Sequence, residues 1–224
     1  MRRIVVDAPH GALGFDCDTR LSREQYSAAR ALGFRFVARY LGDLTSDEVD
    51  DCIGSGLLLL PVQHAHAPGW IVGEGGHTGA EDGRRAVADA NAAALPQMPL
   101  WFDLEQPHTA TTPAQVHQYA AEACAAVGRP GFEGRVYWGA GMPGNEHDVY
   151  MLQFTGYWKS FSNVVTPWKR GFQLIQLFRY PRGECYVREV FPLAPASIAD
   201  VLIDVDVACS DYEGSSAKML AALP

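Results

Sequence analysis

Hydrophobic and polar positions follow two rhythms along the first half of this chain. Runs of period two, or unbroken apolar runs, recur at residues 11–18, 34–40, 57–64 and 99–106, which is the pattern of strands. Between them apolar residues fall three and four apart, as on helices with one buried face. Ser22 is placed to cap the first of these helices, with Gln25 at the capping-box position, and Gly33 ends it. Leu44-Thr45-Ser46-Asp47-Glu48 opens a second, which stops near Gly54 to Gly56, and residues 80–95 form an alanine-rich third. Thr111-Thr112-Pro113 starts another, with proline at the first turn. The run 57–64 is apolar throughout, as in a strand buried on both faces. In the second half the pattern predicts strands at 134–139, 148–154, 172–178 and 201–207, and a hairpin or excursion over 180–192. Residues 1–10 read as a lead-in and 217–223 as a short helical tail. Residues 66–79 form a glycine-rich loop of lid length.

Regular strand–helix alternation implies parallel strands with right-handed crossovers. Eight candidate strands point to an α/β fold of the (β/α)8 TIM-barrel type, irregular, with reduced helices in its second half. The expected organisation is one domain over 1–224 with a core at about 11–212. The competing fold, an open doubly wound sheet, calls for a glycine-rich phosphate loop after the first strand; that position holds Cys17-Asp18-Thr19-Arg20.

Composition adds exclusions. The chain is 48% apolar and 20% charged, enough to bury a full core, and its net charge of −8 disfavours nucleic acid or an anionic membrane as partner. No apolar run reaches transmembrane length. Ile4-Val5-Val6, followed by Asp7 and Pro9, is too short for a signal-peptide core. The expectation is therefore cytoplasmic synthesis with phage-type or non-classical delivery. Five scattered cysteines, with no C-x-x-C, argue against a disulfide framework or a structural zinc site.

The candidate chemistry lies at strand ends. Asp103 and Glu105 close the fourth strand two residues apart, so they point to one side. Asp16/Asp18 and Asp204/Asp206 repeat this spacing on the first and last strands. In a closed barrel all three pairs ring the C-terminal mouth, where barrel enzymes keep their sites. Crowded carboxylates raise one another's pKa, which helps to hold one of them protonated as a general acid. Glycosidic hydrolysis needs such an acid together with a carboxylate at the oxocarbenium-like centre. Tyr40, Gln63, Trp101, Tyr137, Trp138, Gln153, Trp158 and Gln176 are the candidates to hold sugar rings, or else they are core and rim packing.

Gly14-Phe15-Asp16, Asp103-Leu104-Glu105 and Ile203-Asp204-Val205-Asp206 resemble the three acidic signatures of the glycoside hydrolase family 25 lysozymes. Phe36-Val37-Ala38-Arg39-Tyr40, the leucine-rich third strand and Tyr137-Trp138-Gly139 are closer still to a related glycoside-hydrolase-like domain family, the DUF1906 type. The resemblance implies an irregular barrel and muramidase-type cleavage of peptidoglycan. Glu105 would be the general acid/base, Asp103 would assist charge development or orient the acetamido group, and Asp16 and Asp204 would complete the site. Asp18, Tyr40, Gln63, Trp101, Tyr137, Gln153, Gln176 and Asp206 would contact substrate. Asp18 stands where these lysozymes often have Ser. Asp206 stands where they usually have Asn, and would add negative charge to the mouth. The expected partners are peptidoglycan or a related glycan, and virion or cell-wall proteins, with no cofactor or metal.

Rival readings remain. His64-Ala-His66 has metal-ligand spacing, but it follows the third strand, whereas barrel metallohydrolases usually carry such a pair on the first. The aspartates of the first and last strands could hold Mg²⁺ or Ca²⁺. A Ser or Cys nucleophile finds no G-x-S-x-G and no basic partner near Cys17. A lysozyme-like barrel that has lost turnover would bind carbohydrate or serve as a virion or wall structural protein.

Overall fold

The structure, a computed structural model, describes residues 1–63, 66–74, 77–161, 164–177, 184–187, 191–195 and 197–223, with 184–187 and 191–195 described by their backbone. The elements in chain order begin with β1 (Arg3–Asp7), β2 (Leu13–Cys17), α1 (Arg23–Ala31), β3 (Phe36–Tyr40), α2 (Ser46–Gly54) and β4 (Leu58–Gln63). There follow α3 (Gly79–Ala92), β5 (Pro99–Leu104), α4 (Pro113–Gly128), β6 (Glu133–Trp138), α5 (Glu146–Tyr150), β7 (Tyr157–Lys159) and β8 (Leu174–Leu177). The chain ends with β9 (Glu184–Val187), β10 (Phe191–Pro195), β11 (Ser197–Ile198), β12 (Val201–Leu202), β13 (Asp204–Ala208) and β14 (Lys218–Ala222).

Strands β2 to β8 run parallel in sequence order, and β13 closes the ring between β8 and β2. The result is the expected eight-stranded barrel with few helices. One strand departs from expectation: β13 is antiparallel to both neighbours. No helix precedes it among the described residues after β8; there the chain forms the β9–β10 and β11–β12 pairs. Because β13 is reversed, its first residue, not its last, lies at the mouth. Asp204 pairs with Asp16, and Asp206 sits one step deeper, opposite Gly14.

The expected capping of α1 is present: Ser22 accepts from the Gln25 amide, and Gln25 reaches back to the Ser22 amide. Thr78 and Thr112 cap α3 and α4 in the same way. Two other expectations fail. Residues 148–154 contain no strand; Asn145 caps a short helix there by accepting from the His147 and Asp148 amides, and the strand comes later, at β7. The lead-in and the helical tail are also strands. β1 and β14 pair antiparallel from Arg3↔Ala222 to Asp7↔Lys218. This ribbon fills a split in the barrel. Among the described residues β4 and β5 pair at Val62↔Trp101 and Gln63↔Phe102, and nearer the floor Leu220 pairs with Leu59 instead.

Alternation divides the core into two layers. Phe15, Val37, Leu59, Phe102 and Val136 face outward into the helices, while Phe36, Leu60, Val62, Trp101, Trp158 and Met219 fill the barrel interior. Glycine at position 14 is needed for this filling, because a Cβ there would lie 2.2 Å from the Phe36 ring.

Candidate active site

The mouth of the barrel holds a cavity of about 140 Å³ lined by Asp16, Tyr40, Asp103, Glu105, Tyr137, Trp158, Gln176 and Asp204. Each arrives by strand register. Asp103 lies opposite Tyr137 across β5–β6, Asp16 lies opposite Asp204 across β2–β13, and Gln176 pairs with Asp206 across β8–β13. All four carboxylates expected to carry the chemistry, Glu105, Asp103, Asp16 and Asp204, share this one cavity.

Glu105 follows the end of β5 and is half-buried. Its backbone is fixed on two sides: the Trp70 indole Nε1 donates to the Glu105 carbonyl at 2.9 Å, and the Gln106 amide donates to Ala140 at 2.7 Å. Gly139 lies against its side chain, where a Cβ would sit 2.2 Å from the Glu105 Cβ.

Asp103 is 6% exposed. Burial, and then the charges of Glu105 and Asp16, push its carboxyl well above the usual carboxylate range, against the lowering effect of the Tyr40 hydroxyl. That hydroxyl donates to Asp103 Oδ2 at 3.4 Å, and Oδ1 is buried without a hydrogen-bond partner. Opposite, Tyr137 donates to Gln176 Oε1 at 2.7 Å, and Gln176 Nε2 donates to Asp16 Oδ2 at 3.0 Å. This relay orients Asp16.

Several sequence-based assignments need correction. Asp206 is fully buried beneath the cavity and adds no charge to the mouth. Trp158 Nε1 donates to its Oδ1 at 3.0 Å. Burial, and then the charge and hydrogen bond of Asp16, push the Asp206 carboxyl well above its usual range. Asp18 lies beyond the end of β2, exposed, and accepts from Thr19; the strand stops too soon to turn it inward. Trp101 is 0% exposed inside the barrel, one step below Asp103, and offers no sugar platform. Trp138 packs outward into the helix layer. Gln63 is buried at the end of β4, beside Phe102 and outside the cavity lining. Gln153 is exposed just before Thr155, whose amide bonds Gly134 at the start of β6, so it belongs to the opposite end of the barrel.

Trp158 was legible only as an aromatic near a strand end; its place beside Asp206 required the register of β7. Trp70 and Gly139 were not read as site residues at all, since their contacts to Glu105 are long-range and backbone-directed. Cys17 is buried, and its thiol is pushed up to about 12, chiefly by that burial, which removes it as a nucleophile. His64 lies outside the described residues.

The match to known proteins follows this geometry. The barrel superposes on a family 25 glycosyl hydrolase from Bacillus anthracis with a TM-score of 0.53 at 10% identity, covering 89% of each chain. A bacterial lysozyme from Streptomyces coelicolor gives 0.52 at 11%, covering 90% of this chain and 93% of the other. A muramidase from Acremonium alcalophilum gives 0.54 at 12%, covering 90% and 95%. At such identities the likeness establishes the fold. No curated protein matches the chain in sequence. A family model, described as the Rv2525c-like, glycoside hydrolase-like domain, matches residues 27–173, a span that contains Asp103 and Glu105. The chain belongs to the Rv2525c-like, glycoside hydrolase-like domain family.

Proposed function

We propose that this protein hydrolyses the glycan strand of peptidoglycan or a closely related polymer. The observation that carries the reading is the meeting of Glu105, Asp103, Asp16 and Asp204 in one cavity at the barrel mouth. Glu105, the more exposed of the β5 pair, is the general acid that protonates the leaving glycosidic oxygen and then the base that activates water. Asp103, pushed toward its neutral form, holds a hydrogen-bonding carboxyl group at the reacting sugar without adding a second full charge beside Glu105. Asp16, oriented by Gln176, and Asp204 supply negative charge to a positively charged oxocarbenium-like centre. Wall-associated delivery belongs to the same proposal, because the substrate lies outside the membrane.

The size of the cavity favours a second reading. About 140 Å³ is small beside the roughly 300–1,000 Å³ of typical ligand sites. A barrel that grips a glycan without cleaving it would be a carbohydrate-binding or wall-associated structural protein.

One experiment separates the two. Purified cell walls are incubated with wild type and with Glu105→Gln, scoring released reducing ends and sedimented protein. Hydrolysis predicts release by the wild type, lowered ~10²–10⁴-fold in the variant with wall binding kept. Equal binding with no release by either protein sinks the hydrolase reading for this substrate.

A further inference from the structure

Behind the barrel mouth, three metal-ligating side chains converge at a place the glycan-cleaving chemistry does not use. His66 and His77 come from the two ends of the loop between β4 and α3, and Asp82 from the first turn of α3. Their ligand atoms all lie within 4.8 Å of one another. His66 and Asp82 side chains are 1% and 0% exposed. We propose that His66, His77 and Asp82 form a site for a zinc-type divalent metal ion that clasps the two ends of this loop.

The unsatisfied polar atoms argue for an ion rather than a simple ion pair. His66 Nε2 lies 3.1 Å from Asp82 Oδ2, yet the two make no hydrogen bond. His66 Nδ1, His77 Nδ1 and Asp82 Oδ1 are likewise buried without hydrogen-bond partners. Buried polar groups are ordinarily satisfied, so a cluster of orphans marks a missing partner. Two tetrahedral zinc ligands with bonds of ~2.0–2.1 Å stand about 3.3 Å apart and face the metal instead of each other. The His66–Asp82 geometry has that form. Two imidazoles and a carboxylate match the ligand preference of Zn²⁺ and leave a fourth position for water.

The surroundings support the carboxylate as a ligand. Tyr119 on α4 donates its hydroxyl to Asp82 Oδ2 at 2.8 Å, the kind of outer contact that fixes a ligating carboxylate. Arg85 stands 3.9 Å from Asp82 Oδ1, beyond hydrogen-bond distance, with its side chain half-exposed.

The site connects to the mouth through Trp70. The Trp70 ring packs on His66 with centroids 3.9 Å apart, and its Nε1 holds the Glu105 carbonyl. A metal clasp would therefore position Trp70, and through it the backbone of Glu105, as a positioning device and not a catalytic one.

The test uses the full chain stripped with a chelator and titrated with Zn²⁺ against a chromophoric competitor, and with Co²⁺ read by its visible bands. The expected result is one equivalent of metal, tetrahedral Co²⁺ bands, and a change in Trp fluorescence that disappears in Trp70→Phe while metal binding persists. His77→Ala and Asp82→Asn should each bind at least tenfold more weakly. Wild type that binds no Zn²⁺, or binds it equally in both variants, overturns the proposal. Circular dichroism checks that each variant folds. A Zn²⁺-dependent shift of the His66 and His77 imidazole NMR signals, followed in wild type alone, provides a readout independent of any variant. Imidazole signals that do not move with Zn²⁺ also overturn the proposal.

Discussion

Asp206 shows how burial changes the chemistry of a side chain whose letter stays the same. On paper it is a fifth aspartate in an acidic mouth. In the barrel it sits one step below, fully buried, accepting from Trp158 and facing Asp16. Pushed toward its neutral form, it offers Asp16 a donor. The burial-raised carboxyls of Asp206 and Asp103 give stability a definite pH dependence. Their folded pKa values lie above the unfolded value of 3.8. The native state therefore holds more protons than the unfolded chain above that pH. The stabilisation is fully present below about pH 4 and is lost as pH rises through the folded values. Asp206→Asn should keep the Trp158 contact and remove this loss, raising Tm at pH 7 by a few °C, on the order of 1 kcal/mol, with no gain at pH 4. Melting curves between pH 4 and 8 check this. Gly139 works through space alone. Gly139→Ala would drive a methyl group into the Glu105 Cβ and the Tyr137 ring, so reducing-end release should fall ~10–100-fold and stability by about 1–3 kcal/mol, as measured by wall assay beside calorimetry.

At the scale of elements, the parts the chain could announce locally were the ones that could be read. The capping box at Ser22 depends on residues three apart, the proline after Thr112 marks a helix start by itself, and the parallel strands β2 to β6 carry their own period. The segment at 148–154 misled because its apolar residues alternate briefly, while the Asn145–Asp148 capping box, also local, determines the outcome. Arg39 was hidden in a different way. It read as one more strand residue, yet it is fully buried between β3, α1 and α2. Its Nε pairs with Glu48 at 3.0 Å and its Nη1 donates to the Cys17 carbonyl, while Tyr26 and Leu21 also donate to Glu48. Nothing in a linear pattern marks which exposed-looking glutamate will turn inward from α2. The pair ties the end of β2, and with it the approach to Asp16, to two helices. Arg39→Met alone should strand the Glu48 charge and destabilise by ~3–5 kcal/mol, about 10 °C in Tm. Adding Glu48→Gln keeps the acceptor for Tyr26 and Leu21 and should recover part of that loss. Denaturant melts of the single and double variants measure the difference.

At the scale of the whole molecule, the barrel separates an end that holds chemistry from an end that holds the fold together. The mouth gathers carboxylates. The floor is closed by Arg135, which donates to Gln173 at 2.6 Å and to the Ser216 carbonyl at 3.2 Å, while Gln173 donates to Asp211 at 3.0 Å. The terminal ribbon lies on this floor side, and it is the part that sequence reasoning missed most completely. Lys218-Met219-Leu220-Ala221-Ala222 has good helix formers, and its strand partner is some two hundred residues away. Tertiary pairing overrides local propensity there. The reading of the acidic ends survived a larger error for a geometric reason. β13 was expected parallel, but reversal exchanges its two ends and still leaves Asp204 at the mouth, because its acidic pair lies at the start of the strand. The division of labour predicts the outcome of removing β1. Deleting residues 1–7 strips five ladder pairs from β14 and the Arg3 guanidinium, which holds Asp50, Ser46 and the Ala93 and Ala94 carbonyls. It also leaves β14, carrying the buried Met219 and Leu220, as an open edge. Calorimetry should show Tm lower by on the order of 10 °C, and sedimentation should show association on warming. Reducing-end release per folded molecule in the cold should stay within about twofold of wild type, since the mouth is built from strands the ribbon does not reach. An equal loss of release in the cold would show instead that the ribbon shapes the mouth through β4.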